Sequence, residues 1–386
     1  MGKSSENLAS VTRVGLDLAK SVFQVHGVDA KGAVVVVRKL RRGSVMEFFG
    51  RLAPCVVAME ACATAHYWGR EVASLGHEVR LLPPSHVKPY VRRNKTDAAD
   101  AAAICEAAMR PGQRFVAPRP LENQAQLMRH RVRELLSSER TRVLNALRSH
   151  LAEIGVVAPQ GAQNVYRLKA LLADGIDENG EIGVPACVRA ALAPLAAAIE
   201  ALDQGISAID EELVAAAKAD DKARRLMTIP GIGPVIATAI AATVRDVESF
   251  AGAREFAAFL GLTPRGASTG GKPRSKRISK MGDRYLRSLL VVGATSALRY
   301  AAGHNDALRR WARETLKRKA VLKYAFKLTA VALANKLART AFAILRSGGT
   351  YDDRPVAASR WRRTLKRPKR VFVARRHAIG GDREAM

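Results

Sequence analysis

The sequence of 386 residues predicts a mixed-sheet α/β domain, then a long helical linker, a mostly α-helical domain and a basic tail. Three observations predict this order. Strand-like runs come first and then alternate with helices; apolar residues next repeat at a coiled-coil spacing; two glycine-rich loops interrupt the later helices. The predicted segments are 10–116, 121–217, 222–346 and 350–386.

The first domain begins with strand-like runs that are separated by turn residues, the strongest turn lying at 29–32. Helical and strand-like runs then alternate up to a Pro-Pro break at 83–84 and an Ala-rich helix. The predicted strands are 11–17, 21–28, 34–37, 55–60 and 78–82, and the predicted helices are 44–52, 65–75 and 97–109. Strands first and alternation afterwards predict a mixed sheet with helices packed on it.

The linker is predicted from two apolar stripes. The first consists of Met128, Val132, Leu135, Val143, Leu147, Leu151 and Ile154, and the second runs from Ala191 to Leu213 with spacings of four and three. This 3.5-residue repeat is typical of a left-handed coiled coil. One seam of an ordinary helical bundle explains the same pattern, and the two alternatives stay open at this point.

The charge of the chain indicates its partner. Lys and Arg number 64 against 35 Asp and Glu, a net charge of +29, which is typical of proteins that bind a polyanion such as nucleic acid. An anionic membrane is the competing partner, but no amphipathic anchor and no long uninterrupted apolar stretch is present, so we expect no membrane. The N-terminus lacks a secretory core and the four cysteines form no metal spacing, which predicts a reduced, intracellular protein with buried thiols.

Four acids of the first domain are candidate metal ligands. Asp17 and Glu60 end two predicted strands, and Asp97 and Asp100 lie three residues apart on one helix. Clustered carboxylates in such a basic protein suit Mg²⁺, which can activate phosphodiester chemistry. The alternative is that Asp97 caps its helix, Asp100 completes a capping box, and the strand-end acids only balance nearby cations.

Residues 228–234, Thr-Ile-Pro-Gly-Ile-Gly-Pro, join two predicted helices. This pattern is typical of a helix-hairpin-helix turn, in which Gly231 and Gly233 let backbone N–H groups approach a phosphate. A plain helix–helix connector is the alternative.

A second glycine-rich loop carries Ser268 and Thr269 in a dense cationic region. Its residues are candidates for phosphate binding, and a hydroxyl there is a candidate nucleophile if other groups activate it. A loop that only grips phosphate is equally compatible with the pattern. The candidate nucleic-acid-binding residues are Gly231, Gly233, Arg265, Gly270, Gly271, Lys272, Arg274, Lys276, Arg277, Lys280, Arg284 and Arg287. Further along, Trp311 and Tyr324 lie in a cationic stretch and either stack on unpaired bases or belong to the core.

These motifs resemble the DEDD insertion-sequence transposases of the IS110 class, which are related to Piv-type DNA invertases. The matching N-terminal motifs are Gly-Leu-Asp at 15–17, Met-Glu-Ala at 59–61 and Lys-Thr-Asp-Ala-Ala-Asp-Ala at 95–101. The matching C-terminal motifs lie at 259–264, 268–272 and 278–287. The likeness covers roughly residues 10–346 and leaves the tail outside.

The resemblance implies an RNase H/RuvC-like first domain, Mg²⁺ at Asp17, Glu60, Asp97 and Asp100, and a nucleophilic serine at Ser268. Thr269 is the alternative hydroxyl, since many relatives carry Ser-Ser there. The resemblance also implies a homo-oligomer, a dimer or tetramer, that acts on donor and target DNA under the guidance of a structured element-encoded RNA. Such a protein works in the prokaryotic cytoplasm, at the nucleoid.

The predicted function is therefore a recombinase that excises and inserts its own mobile element through a covalent serine–DNA ester. Two alternatives remain. A RuvC-like junction nuclease would hydrolyse DNA without an ester, and a non-enzymatic scaffold would only bind nucleic acid.

Overall fold

The structure is a computed structural model that describes residues 8–91, 96–157, 161, 164–176, 183–266 and 275–353. It divides into two compact units, residues 1–209 and 210–386, with the division inside one long helix. The predicted tail, 350–386, lies outside the described residues beyond Asp353.

The first unit contains a five-stranded mixed sheet, as the sequence predicts. The strands are β1 (Arg13–Asp17), β2 (Val22–Val28), β3 (Val34–Arg41), β4 (Val56–Glu60) and β5 (Glu78–Leu82). Their order is β3-β2-β1-β4-β5; β1–β3 form an antiparallel meander, while β1, β4 and β5 run parallel. The turn before β3 is closed by Asp29, whose Oδ1 accepts hydrogen bonds from the backbone N–H groups of Lys31 and Ala33.

Helices cover both faces of this sheet. They are α1 (Val45–Gly50), α2 (Ala65–Ser74), α3 (Pro84–Val87) and α4 (Asp97–Met109). On one face, Phe23, Phe49 and Trp68 belong to the core under α1 and α2. On the opposite face, Ala58 and Ile104 belong to a smaller core under α4. Because successive strand side chains point to opposite faces, β4 contributes Val57 and Met59 to the first core and Ala58 to the second.

Gly15 lets α4 lie directly on β1. A Cβ at residue 15 would come within 2.2 Å of the Ala101 carbonyl oxygen and 2.6 Å of the Cys105 backbone nitrogen. Both neighbours are backbone atoms of a packed helix, so a side chain here would displace the helix. The glycine therefore fixes how close α4 comes to the end of β1.

The predicted linker consists of three helices, α5 (Leu121–Glu153), α6 (Val165–Asp174) and α7 (Ala186–Ala219). Of these three helices, α6 was not predicted from the sequence. Leu147, Leu168 and Ile199 bring one residue from each helix into a common core. Between the same helices, Lys169 Nζ lies 2.8 Å from Asp203 Oδ2 and 2.7 Å from Glu200 Oε2, and these hydrogen bonds raise the pKa of the lysine.

The first apolar stripe of the linker divides into two parts. Leu147 and Leu151 are fully buried in the core of the three helices. Met128, Val132 and Leu135, on the N-terminal half of α5, are instead exposed. Only the C-terminal half of the predicted seam is used inside this unit.

The second unit is mostly helical, as predicted. Its elements are α8 (Asp221–Met227), α9 (Pro234–Thr243), α10 (Ala253–Phe259), β6 (Pro264–Gly266), β7 (Ser275–Ile278), α11 (Arg284–Arg299), α12 (Ala307–Arg318) and α13 (Ala325–Ser347). The antiparallel pair β6–β7 was not predicted from the sequence. Among the described helices α13 alone is long and apolar enough to span a bilayer, but half of its most apolar window is buried against this unit.

The prediction of buried thiols is wrong for half of the cysteines. Cys55 and Cys105 are buried, and burial raises the pKa of each to about 11. Cys62 and Cys187 are exposed. Cys62 lies in the connection between β4 and α2, and Cys187 is the second residue of α7.

Candidate functional site: a carboxylate pocket at the sheet edge

Asp17 and Glu60 lie next to each other at one edge of the sheet. They are the last residues of β1 and β4, and the parallel register pairs Leu16 with Met59, one position earlier on each strand. Leu16 and Met59 point into the core under α1 and α2. By the alternation of a strand, Asp17 and Glu60 point to the α4 face.

A pocket of about 500 Å³ opens at this edge, and three of the four predicted acids line it, Asp17, Glu60 and Asp100. Asp100 comes from the first turn of α4, which Gly15 allows to approach β1. The Glu60 carboxylate is half-buried and forms no ion pair or hydrogen bond with another described residue. A carboxylate in that position stays available to a cation or a ligand.

Asp97 is exposed and does not belong to the lining of this pocket. The alternative in which Asp97 caps the helix is wrong. Thr96 is the N-cap of α4, and its Oγ1 accepts a hydrogen bond from the Ala99 backbone N–H at 3.2 Å. Helix capping therefore requires neither Asp97 nor Asp100.

The pocket contains donors that suit a hydrated divalent cation. In the part of the chain that the structure describes, no group of three or more His, Cys, Asp or Glu side chains could by itself hold a metal ion. Mg²⁺, however, usually keeps several waters and uses one or two carboxylates together with substrate phosphates. Gln24 pairs in register with Asp17, and its buried Oε1 has no hydrogen-bond partner. Gln24 does not line the pocket, so the two adjacent carboxylates of Asp17 and Glu60 are the groups that fit such an ion.

Three residues of this region were not predicted from the sequence as part of the site. Lys88 and Cys62 line the pocket, and Gln24 lies beside Asp17. A signal existed for each: Cys62 follows Glu60 by two residues, Lys88 follows the Pro-Pro break after β5, and Gln24 is a polar residue in an otherwise apolar strand. The Lys88 side chain adds a positive charge to the pocket that the three carboxylates line. A phosphate group that entered the pocket could pair with this lysine.

The turn at 228–234 connects α8 to α9. Gly231 has φ +91°, and a Cβ there would lie 2.8 Å from the Gly293 carbonyl oxygen of α11, so packing within this unit requires that glycine. Gly233 is the N-cap of α9 and a Cβ there would meet nothing within 4 Å. Open space at the start of a helix leaves room for a ligand.

The serine loop is carried by β6 and β7. Ser268, Thr269, Gly270, Gly271, Lys272 and Arg274 lie in the segment 267–274, outside the described residues. The strands on either side pair Pro264 with Ile278 and Gly266 with Ser275. The ends of the segment are therefore held together.

The strands β6 and β7 form a two-stranded ribbon. Its base is fixed by Gly261, Gly282 and Arg287. A Cβ at Gly261 would lie 2.1 Å from the Met281 carbonyl oxygen, and one at Gly282 would lie 1.8 Å from the Phe259 carbonyl oxygen. Arg287 Nη1 donates to the carbonyls of Leu260 and Met281 at 3.0 and 3.1 Å. Arg287, which was predicted to bind nucleic acid, therefore holds the backbone of its own unit.

Most of the other cationic residues that were predicted to bind nucleic acid lie at the surface of this unit. Arg277, Lys280 and Arg284 are exposed, and Arg265 Nη2 donates to the Ser279 carbonyl at 3.1 Å. Lys276 lies in β7, and its side chain is outside the described set. Trp311 packs against the core, as one alternative predicts, whereas Tyr324 is exposed.

Both halves of the chain match transposase families. A family model described as "Transposase IS116/IS110/IS902 family" matches residues 223–310, and a DEDD model of IS110 type, described as "Transposase", matches residues 14–156. The second match contains the three acids of the pocket. The first contains the turn, the ribbon and the serine loop.

Whole-length relatives carry the same description. The chain is 44% identical to a "Probable family 20 transposase" of Pseudomonas aeruginosa, over 89% of this chain and 99% of the relative. It is 37% identical to the "Transposase for insertion sequence element IS1328" of Yersinia enterocolitica, over 89% and 99%. It is 35% identical to the "Transposase for insertion sequence element IS1111A" of Coxiella burnetii, over 90% and 93%.

Proposed function

The chain belongs to the IS116/IS110/IS902 family of transposases, and from this premise we propose that it excises and inserts a mobile element by serine-dependent phosphoryl transfer with Mg²⁺. The observation that supports the proposal best is the meeting of Asp17, Glu60 and Asp100 around one pocket in a chain of net charge +29. Such a concentration of negative charge is costly in a DNA-binding protein unless a cation offsets it.

Asp17 and Glu60 would hold the metal ion, and Asp100 lines the same pocket from α4. When bound, Mg²⁺ supplies charge stabilisation at the reacting phosphate. Lys88 binds a non-bridging phosphate oxygen and orients the scissile bond in the pocket. Membership of the family supports an RNase H/RuvC-like fold for this domain.

Ser268 supplies the nucleophile. The hydroxyl loses its proton as Oγ forms a bond to phosphorus, the bond from phosphorus to the leaving deoxyribose oxygen breaks, and the leaving oxygen takes up a proton, so the net reaction moves one proton from the serine to the leaving group. Thr269 is the neighbouring hydroxyl that could act instead. The pairing of β6 with β7 supports this role because it holds together the described residues on either side of Ser268.

The turn at 228–234 binds the duplex backbone as a helix-hairpin-helix element. Support comes from the open space at Gly233 and from a cavity of about 500 Å³ that the turn lines together with Ser296 and Arg309. Backbone N–H groups at the first turn of α9 would face the phosphate. Such contacts position the DNA without reading its sequence.

The protein also assembles as a homo-oligomer, a dimer or tetramer, on donor and target DNA at the prokaryotic nucleoid. The exposed half of the α5 stripe supports self-association. Leu121, Met128, Val132 and Leu135 are 44–62% exposed, and with Ala125 they follow a four-three spacing that a second helix can match.

Met128→Lys combined with Leu135→Lys is expected to weaken self-association at least about tenfold, the effect of losing ~1.4 kcal/mol of association free energy. Light scattering across a dilution series measures the change. Val157→Lys alters another exposed residue of the same unit, at 80% exposure, and should leave the mass unchanged. An unchanged mass in the double variant would remove this helix face from the interface.

The function as a whole is tested with the full chain, DNA that carries both element ends, a target DNA, and RNA transcribed from non-coding DNA of the element. With Mg²⁺ and the RNA we expect excised and inserted products on a gel, and EDTA should abolish both. Equal yield without the RNA would contradict the guided mechanism. Cut products that never join would favour the junction nuclease, and binding without any cutting would favour the scaffold.

A further inference from the structure

The connection between α12 and α13 presents an unusual exposed surface, residues 319–328, here named the α12–α13 tip. Val321 is 96% exposed, Tyr324 58% and Leu322 51%. Phe326 and Leu328, in the first turn of α13, are exposed as well. Apolar and aromatic side chains grouped in this way mark a contact surface more often than isolated ones do.

The tip has a fixed shape. The backbone N–H of Leu322 donates to the Lys319 carbonyl at 2.8 Å, that of Ala325 to the Leu322 carbonyl at 3.0 Å, and that of Leu328 to the Tyr324 carbonyl at 2.9 Å. Immediately after the tip, Thr329 and Ala330 are buried. The exposed side chains therefore project from an anchored turn.

The charge of the tip has one sign. Lys319, Lys323 and Lys327 alternate with its apolar residues, and no acidic residue occurs between Glu314 and Asp352. None of the three lysines forms an ion pair with another residue of the described part of the chain. Lys323 Nζ lies 5.8 Å from the centre of the Tyr324 ring.

We propose that the α12–α13 tip binds unpaired nucleotides, with Tyr324 stacked on a base and the three lysines on the neighbouring phosphates. This inference rests on the proposed function and extends it, since strand exchange and a structured RNA both present unpaired bases. Stacking needs an open base face, which a continuous duplex does not offer, while the lysines match the backbone. Val321 and Leu322 pack on the sugar and the adjacent base.

The test is fluorescence anisotropy of the full chain with a labelled single-stranded oligonucleotide and with a duplex of the same sequence. NaCl at about 0.3 M weakens the phosphate contacts of the other basic surfaces. Tyr324→Ala should weaken single-strand binding about tenfold and duplex binding less than about twofold, because one stacked base contributes about 1–3 kcal/mol. Tyr324→Phe should retain the wild-type affinity.

Tyr166→Ala is the matched control. Tyr166 is 60% exposed and has the Arg167 guanidinium 5.7 Å from its ring centre, but it lies in the linker. We expect no change in this variant. Thermal unfolding of both Ala variants checks that each is folded.

An unchanged single-strand affinity in Tyr324→Ala would overturn the proposal, as would an equal loss for duplex and single strand. Vesicles with anionic headgroups provide a further arm: a loss of vesicle binding with unaltered oligonucleotide binding would assign the tip to a membrane instead. The anisotropy requires no recombination. If Tyr324→Ala loses single-strand binding but the wild-type chain never recombines DNA, the proposal for the tip holds and the proposed function fails. If the wild-type chain recombines DNA but Tyr324→Ala binds single strands normally, the proposed function holds and the proposal for the tip fails.

Discussion

Asp17→Asn is expected to abolish DNA cleavage and joining, with a rate loss of at least about 10²–10³-fold, the scale of removing one strong electrostatic contact from a reacting centre. The amide keeps the size of the carboxylate but removes its charge, so the metal ion beside Glu60 would lose a ligand. Glu60→Gln should produce the same loss. Timed cleavage of element-end DNA at saturating Mg²⁺ measures the rate.

Glu78→Gln is the matched control for these variants. Glu78 starts β5 in the same sheet, and its 61% exposed side chain pairs with Arg80 at 2.7 Å. Removing a surface ion pair of this kind costs at most about 1 kcal/mol, so activity should persist. Full activity of Asp17→Asn at limiting Mg²⁺, with an unchanged unfolding midpoint, would remove the carboxylate pocket from the mechanism.

Ser268→Ala is expected to remove every covalent protein–DNA adduct and to reduce strand exchange by about 10⁴-fold or more, because no nucleophile replaces the hydroxyl. Denaturing gels of reactions with end-labelled DNA detect the adduct. Thr269→Ala should keep the adduct if Ser268 is the nucleophile. Ser279→Ala, just after the ribbon, provides a control hydroxyl.

An adduct that survives in Ser268→Ala but disappears in Thr269→Ala would move the nucleophile by one residue. An adduct that survives in both variants would overturn the assignment of this loop. Cleavage without any adduct in the wild-type chain, still lost in Asp17→Asn, would favour hydrolysis by water. These outcomes separate the recombinase from the junction nuclease.

The sheet was predictable because its strands are apolar runs bounded by clear turn residues. Thr96 shows the limit for the site: the sequence offered Asp97 as a helix cap, but the cap lies one residue earlier, so both acids are residues of the helix itself. The strands β6 and β7 were missed because runs of three and four residues that contain Pro, Gly and Lys lack a strand pattern.

The convergence of Asp17 and Glu60 could be expected from their places at strand ends, since parallel neighbours end at the same edge. The contribution of Asp100 to the same pocket could not be expected from the sequence. Asp100 reaches the pocket because Gly15 admits α4 to close range, and that depends on a steric contact between residues 86 positions apart, Gly15 and Ala101. Lys88 and Gln24 likewise join the site through the sheet register and the path of the chain, not through any local motif.

Backbone packing limits how the base of the β6–β7 ribbon can evolve. A Cβ at Gly261 or Gly282 would meet a backbone carbonyl oxygen at 2.1 or 1.8 Å, and Arg287 Nη1 holds two more backbone carbonyls nearby. Because backbone atoms of a packed unit have little room to move, any side chain at position 261 or 282 would displace the described residues that flank the segment 267–274. We therefore expect both glycines to persist in every active variant of this chain.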